Sequence, residues 1–334
     1  MRPAAQGTVG GTPRFEILQR SAAPLLTADK PREAHGVTGC TWLREGNRWR
    51  MWYGASYPNA KRDDDAFCCY AESSDGLHWT KPELGLVEYA GNTSNNILFS
   101  SAQTGGMLPG HIFIDDRDGP AQRYRAVGTR FREPEQAFSV YGGSSADGIH
   151  WSFPSEPLSR QNSDTQTACI PEAGRCRLYT RMWTGTLWSD PGMRMVGYTE
   201  SDHFGDFADP VAILRADDQD PAGMDFYSNA ATKLADDLYV MFPEAFYATD
   251  QTIRCHLAWS RDGVHFARYG RKPVVDLGPD FDSGMVIVNP GAVPGDAPNT
   301  WWFYYFGTPR KHNVPPAKVG YAGGMGRFLL VTGG

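Results

Sequence analysis

Apolar and polar residues follow one another in short runs along this chain. Arg48-Trp-Arg-Met-Trp-Tyr-Gly54, Tyr124-Arg-Ala-Val-Gly128, Arg177-Leu-Tyr-Thr-Arg-Met-Trp183 and Thr300-Trp-Trp-Phe-Tyr-Tyr-Phe306 read as strands. No stretch sustains an apolar stripe at the 3.6-residue period, so little helix is expected. The strands are punctuated by a recurring phrase. Tyr70-Ala-Glu-Ser-Ser-Asp-Gly-Leu-His-Trp79 is repeated as Ser144-Ser-Ala-Asp-Gly-Ile-His-Trp151 and Trp259-Ser-Arg-Asp-Gly-Val-His-Phe266, and degraded in Tyr198-Thr-Glu-Ser-Asp-His-Phe204. Each copy reads as a turn: glycine takes positive φ without cost, and aspartate bonds the turn backbone. An irregular repeat of roughly 60 residues with hairpins in every unit predicts a propeller.

Five sets of strands can be counted, beginning near Gly36, His111, Asp164, Asp225 and Gly284. The expected fold is therefore all-β, a five-bladed β-propeller of four-stranded antiparallel blades, as a single domain over residues 1–334. In the extension formed by residues 1–30, Phe15-Glu-Ile-Leu-Gln19 is a candidate strand to complete the last blade, which would remove a free edge. The outer strand of the first blade is expected from His78. The third strand of the last is expected at Lys318-Val-Gly-Tyr-Ala322.

Composition agrees: 13% aromatic residues with 37 Gly and 24 Pro favour many short strands. A net charge of −6 without a basic run argues against a nucleic-acid partner. Nothing approaches a membrane-spanning apolar stretch, and Met1–Gly10 lacks the apolar core of a signal peptide, so a cytoplasmic location is expected. The six cysteines have no regular spacing and read as buried free thiols; adjacent Cys68 and Cys69 must face opposite ways. Asp115-Asp-Arg-Asp-Gly119 lacks the closing glutamate of a calcium loop. No zinc, phosphate-loop or Ser-His-Asp pattern is visible, so no metal and no cofactor is expected.

In a propeller, residues that enter the innermost strands converge on one channel mouth. Here those positions are rich in acids. Glu33 and His35 precede the first inner strand, Asp115 and Asp116 end the second, and Asp164 and Gln166 open the third. Asp225 and Tyr227 open the fourth, Asp280 and Asp282 the fifth, and Glu244 ends a second strand. Carboxylates around one channel suit glycosyl transfer to water, with one protonated and one ionised. Arg181, Arg310 and His312 follow second strands and are candidates for binding sugar hydroxyls or an anion. Trp183 and Trp188 are candidates for stacking on a sugar face.

The repeated turns, together with Trp49-Arg-Met-Trp-Tyr-Gly54, Arg123-Tyr-Arg-Ala126, Asp164-Thr-Gln166 and Phe281-Asp-Ser-Gly-Met285, resemble the five-bladed propeller glycosidases of families 43, 32, 68 and 130. The resemblance runs over most of residues 32–325 and implies three acids at the channel mouth, from the first three blades. By position, blade one offers Glu33 where those families usually carry Asp. Blade two offers only Asp115 and Asp116, at the wrong end of the strand. Blade three offers Asp164 where Glu is usual, and Asp225 and Asp282 are the substitutes at hand. The expectation is an exo-acting glycoside hydrolase for a furanoside or short oligosaccharide. Asp164 or Asp225 would be its general acid and Glu33 its base or nucleophile. A glycoside phosphorylase and a non-catalytic carbohydrate-binding propeller are the alternatives.

Overall fold

The structure, a computed structural model, describes residues 11–56, 66–133, 135–185, 192–314 and 323–333. Apart from short 3₁₀ turns, its elements are strands. After β1 (Arg14–Leu18) and β2 (Leu26–Thr27), the first four-stranded antiparallel sheet comprises β3 (Val37–Glu45), β4 (Arg48–Ser56), β5 (Ala66–Ser73) and β6 (Ile97–Ser100). The second comprises β7 (Leu108–Ile114), β8 (Tyr124–Arg132), β9 (Ala137–Ser145) and β10 (Trp151–Ser152). The third comprises β11 (Ala168–Glu172), β12 (Arg175–Trp183), β13 (Arg194–Ser201) and β14 (Val211–Leu214).

The remaining strands form one 11-stranded sheet with two antiparallel halves. One half holds β15 (Met224–Ala235), β16 (Leu238–Tyr247), β17 (Thr252–Cys255), β18 (Ala258–Ser260) and β19 (Ala267–Arg268). The other holds β20 (Met285–Val288), β21 (Val293–Pro294), β22 (Thr300–Thr308) and β23 (Gly324–Gly333), with β1 and β2 paired to β23. A parallel contact, Ile253 opposite Met285, joins the halves.

One expectation needs amending. The outer strand of the first sheet is β6, whereas Thr80 makes only an isolated bridge to Glu72. The next residues are Lys81-Pro82, and proline cannot donate to a ladder. The strand expected at Lys318–Ala322 lies outside the described residues.

Central strands are buried on both faces, which is why Ala66-Phe-Cys-Cys-Tyr-Ala71 runs apolar without alternation. The core is divided among the contacts between neighbouring units. Trp52 and Tyr70 of the first sheet pack with Ile112 and Tyr141 of the second. Phe113 and Val140 pack with Cys169 and Leu178, and Tyr179 and Val196 with Phe226 and Met241. Phe242 and Cys255 pack with Val288 and Phe303. Finally Tyr304, Phe306 and Met325 pack with Trp42 and Met51, bringing the last unit against the first.

The recurring turns fasten these contacts. In the first copy, Ser73 Oγ accepts from Gly76 N, and Asp75 accepts from the Leu77 and His78 amides and from His78 Nδ1. The other two copies repeat this pattern. The turn then offers its backbone carbonyls to a neighbouring unit. Gly76 O accepts from the Tyr304 hydroxyl, Gly148 O from Trp52 Nε1 at 2.7 Å, and Gly263 O from the Tyr179 hydroxyl at 2.7 Å. Among the described residues no helix is long and apolar enough to cross a membrane, and Cys68, Cys69, Cys169, Cys176 and Cys255 are buried free thiols.

Candidate active site

A cavity of about 650 Å³ is lined by residues from all five groups of strands. The start of β3, the loop before β11, Tyr227 of β15, the ends of β20 and β22, and the segment Arg310–Asn313 meet there. Of the residues singled out from sequence, His35, Asp164, Gln166, Tyr227, Arg310 and His312 form part of its wall. Trp188 lies outside the described residues.

Asp164 is the carboxylate on that wall. Its Oδ1 accepts from Arg181 Nη1 at 2.6 Å and from Trp183 Nε1 at 3.2 Å. Arg181, only 1% exposed, also donates from Nε to the Tyr227 carbonyl, and its guanidinium sits 4.1 Å from the Tyr227 ring centroid. Arg181 Nη2 has no partner. Trp183 is buried between Arg181 and Arg194, at 5.1 and 4.7 Å. It therefore supports Asp164 and is not part of the lining.

Gln166 ties the wall to the fourth and fifth groups of strands. Its Nε2 reaches the carbonyls of Asn229 and Val288 at 2.9 Å each and Glu244 Oε1 at 3.2 Å, while its Oε1 accepts from Asn289 Nδ2 at 2.8 Å. Behind it Glu244 is 1% exposed, and its Oε2 has no partner. Burial pushes this carboxyl well above the usual glutamate range, although the Arg181 charge pulls the other way. Burial therefore favours the neutral form of this carboxyl.

The remaining acids stand apart from the cavity lining. Glu33 ends a 3₁₀ turn and is fully buried. Its Oε1 accepts from the Tyr53 hydroxyl at 2.6 Å; its Oε2 accepts from the Asp29 and Lys30 amides and from Lys81 Nζ at 2.7 Å. Both oxygens are thus bonded within the entry turn, to the first sheet and to Lys81, and Glu33 does not line the cavity. Asp225 is likewise buried, with Oδ2 on the Arg194 amide and guanidinium and Oδ1 unpartnered. Asp282 is bound by Arg20 and the Tyr305 hydroxyl, which fixes the loop before β20.

Sequence reasoning passes over Arg194, Asn229 and Asn289. Arg194 lies opposite Trp183 across the β12–β13 hairpin, and its guanidinium faces Trp183, Tyr227 and Phe246. Pairing the two strands outward from the Ser201 end would have found it. Asn229 is fully buried with both side-chain amide atoms unpartnered. His312 packs edge-on to Tyr227, with ring centroids 4.9 Å apart. Its pKa is lowered by burial and by the charges of Arg194, Arg181 and Arg310. Among the described residues, no group of three or more His, Cys, Asp or Glu is placed to hold a metal ion.

No protein-family model matches the chain, and no curated protein matches its sequence. Solved structures do match along nearly its whole length. It is similar to an α-L-arabinofuranosidase from Podospora anserina in complex with cellotriose, at 10% identity over 94% of this chain and 97% of that one, with a TM-score of 0.60. It is similar to a glycosyl hydrolase from Bacteroides ovatus at 12% identity, 94% of each chain and a TM-score of 0.61. An N-acetylgalactosamine deacetylase from F. plautii, in complex with blood group B trisaccharide, matches at 17% identity, 95% of each chain and a TM-score of 0.60. At such identities the likeness is one of fold. The fold is one that glycoside hydrolases share, and the deacetylase shows that it does not dictate one chemistry.

Proposed function

We propose that the protein is a glycoside hydrolase built as a single five-bladed β-propeller, exo-acting on a furanoside or short oligosaccharide. The observation that carries this reading is the convergence of all five strand groups on one cavity walled by Asp164, Gln166, Tyr227, Arg310 and His312. The cavity's size falls within the roughly 300–1,000 Å³ of small-molecule sites. Two of the similar structures hold oligosaccharides, which supports a carbohydrate ligand.

Two carboxyl groups in unlike surroundings supply the acid and the base that glycosidic cleavage needs. Asp164, oriented by Arg181 and Trp183, faces the sugar as base or nucleophile. Glu244, whose neutral form burial favours, is the acid; its proton reaches the leaving oxygen once the Gln166 amide gives way to the sugar. This pairing replaces Glu33 and leaves Asp225 to fix Arg194.

The test is turnover on a broad panel of aryl furanosides, pyranosides and short oligosaccharides. Wild type should release free sugar, and Asp164→Asn should lose about 10²–10⁴-fold in kcat while remaining folded. Binding without turnover would instead favour a carbohydrate-binding propeller. Acetate release would move the chemistry towards that of the deacetylase.

A further inference from the structure

Three guanidinium groups lie around Tyr227 and His312, and among the described residues two acids answer them. Arg181 is paired with Asp164 at 2.6 Å and Arg194 with Asp225 at 3.1 Å. Arg310, which lines the cavity, has no acidic partner among the described residues, and its buried Nε makes no hydrogen bond. An uncompensated charge in a partly buried wall is costly unless something completes it.

The backbone is built to place that charge. Gly284, in Phe281-Asp-Ser-Gly-Met285, donates from its amide to the Thr308 carbonyl at 2.9 Å. A Cβ at Gly284 would sit 2.4–2.6 Å from the Pro309 and Arg310 backbone, so only glycine admits that approach. Asp282 locks the same loop through Arg20 and Tyr305. On the other side, the Arg310 amide bonds Thr308 Oγ1 at 3.1 Å and the His312 amide bonds the Gln251 carbonyl at 2.8 Å. The segment is thus held at both ends, with Arg310 on the cavity wall.

We propose that Arg310, with His312 beside it, forms an oxyanion subsite of this cavity, taking either a carboxylate carried by the sugar, as in a uronic acid, or a free phosphate. The guanidinium fork matches both geometries. The subsite deepens the glycosidase reading and rests on the cavity being the sugar site, but its binding can be measured without turnover.

Calorimetry with glucuronate, galacturonate, glucose, galactose and inorganic phosphate is the experiment. At least one oxyanion should bind roughly tenfold or more tighter than the neutral sugars, the usual worth of a charge-assisted hydrogen bond. Arg310→Gln should abolish that preference, and Arg160→Gln, which removes an exposed charge paired with Glu156, should keep it. Acidic sugars preferred over neutral ones, with phosphate inert, assign the carboxylate. Phosphate binding with acidic and neutral sugars alike assigns the phosphate. No preference in wild type, or one that survives in Arg310→Gln, overturns the subsite. Should that variant fail to fold, protection of wild-type Arg310 from phenylglyoxal, read by mass spectrometry, takes its place; equal modification with and without the oxyanion overturns the proposal. Oxyanion binding without cleavage of any glycoside would sink the hydrolase reading alone.

Discussion

The recurring turns and the cavity wall use the same chemistry, carboxylates beside basic side chains, and finish it differently. In the turns, Asp75, Asp147 and Asp262 are served by residues within three positions of themselves, in the same way each time. Around and behind the cavity wall the partners come from distant parts of the chain, and polar atoms are left over: Asp225 Oδ1, Glu244 Oε2, Arg181 Nη2, Arg310 Nε and the Asn229 amide. Buried polar atoms in folded proteins are nearly always satisfied. The aspartates of the repeated pattern are closed off locally; the unrepeated pattern leaves several of its polar atoms open.

The largest effect that tests this contrast is in catalysis. Asp164→Asn should cost about 10²–10⁴-fold in kcat, together with the stability lost when the buried Arg181 is left without its partner, whereas Asp147→Asn should cost little stability and leave kcat alone. The contrast breaks if the two variants behave alike.

Next comes the backbone of the turns. Gly148 has φ +74°, and a Cβ there would lie 2.8 Å from the Trp52 ring and 2.9 Å from the Arg50 guanidinium. Gly148→Ala should therefore lose about 2–3 kcal/mol, from the left-handed backbone together with the displaced neighbours. Gly46 has φ +61° with nothing near its absent Cβ, so Gly46→Ala should lose only about 1 kcal/mol. Urea unfolding measures both, and equal losses would refute the docking role of the turn.

The same contrast explains what could be read from sequence. The turns announce themselves because their physics is local: serine, aspartate and glycine within four positions suffice. They mark the ends of β5 and β9, and from them the strand sets follow. The strand β6 is hidden because it returns to β5 only after the long excursion that follows Trp79. Asp164, Gln166, Tyr227, Arg310 and His312, which line one cavity, can be placed by counting along strands, since each lies at or near a strand end. Glu33 occupies an equivalent position, yet nothing near it in sequence reveals that Tyr53 and Lys81 close over it. Arg194 is missed for the same reason, because its meaning comes from Trp183, Asp225 and Phe246 together. Local geometry is written locally. Burial is not.

Glu244→Gln sharpens the comparison from the cavity side. A carboxyl whose pKa is higher in the folded than in the unfolded chain favours folding fully below the ordinary glutamate value, near 4.5. That contribution drains away as pH rises from there towards the folded value. Glutamine has no proton to lose. The variant should match wild type near pH 4 and gain on it progressively towards pH 8, while its turnover falls. Denaturation midpoints across that range decide it; a constant difference at every pH would mean that Glu244 is not held protonated.

The smallest effect belongs to the turns, and its sign is opposite. Hydrogen bonds from the His78 ring and from the His78 and Leu77 amides hold Asp75 well below the usual aspartate range. Its contribution to stability is present above the unfolded value, near 3.8, and is lost as pH falls below it towards the folded value. Because the side chain is 44% exposed, solvent screens the pair, and Asp75→Asn should cost about 0.5 kcal/mol or less near neutral pH. That gap should narrow on acidification, whereas the Glu244→Gln advantage should widen with alkali. Unfolding of both variants at pH 2.5 and 7 gives the comparison. If the Asp75→Asn gap were the same at both, the turn's stability would come from its backbone bonds alone, and the aspartate would matter as a shape and not as a charge.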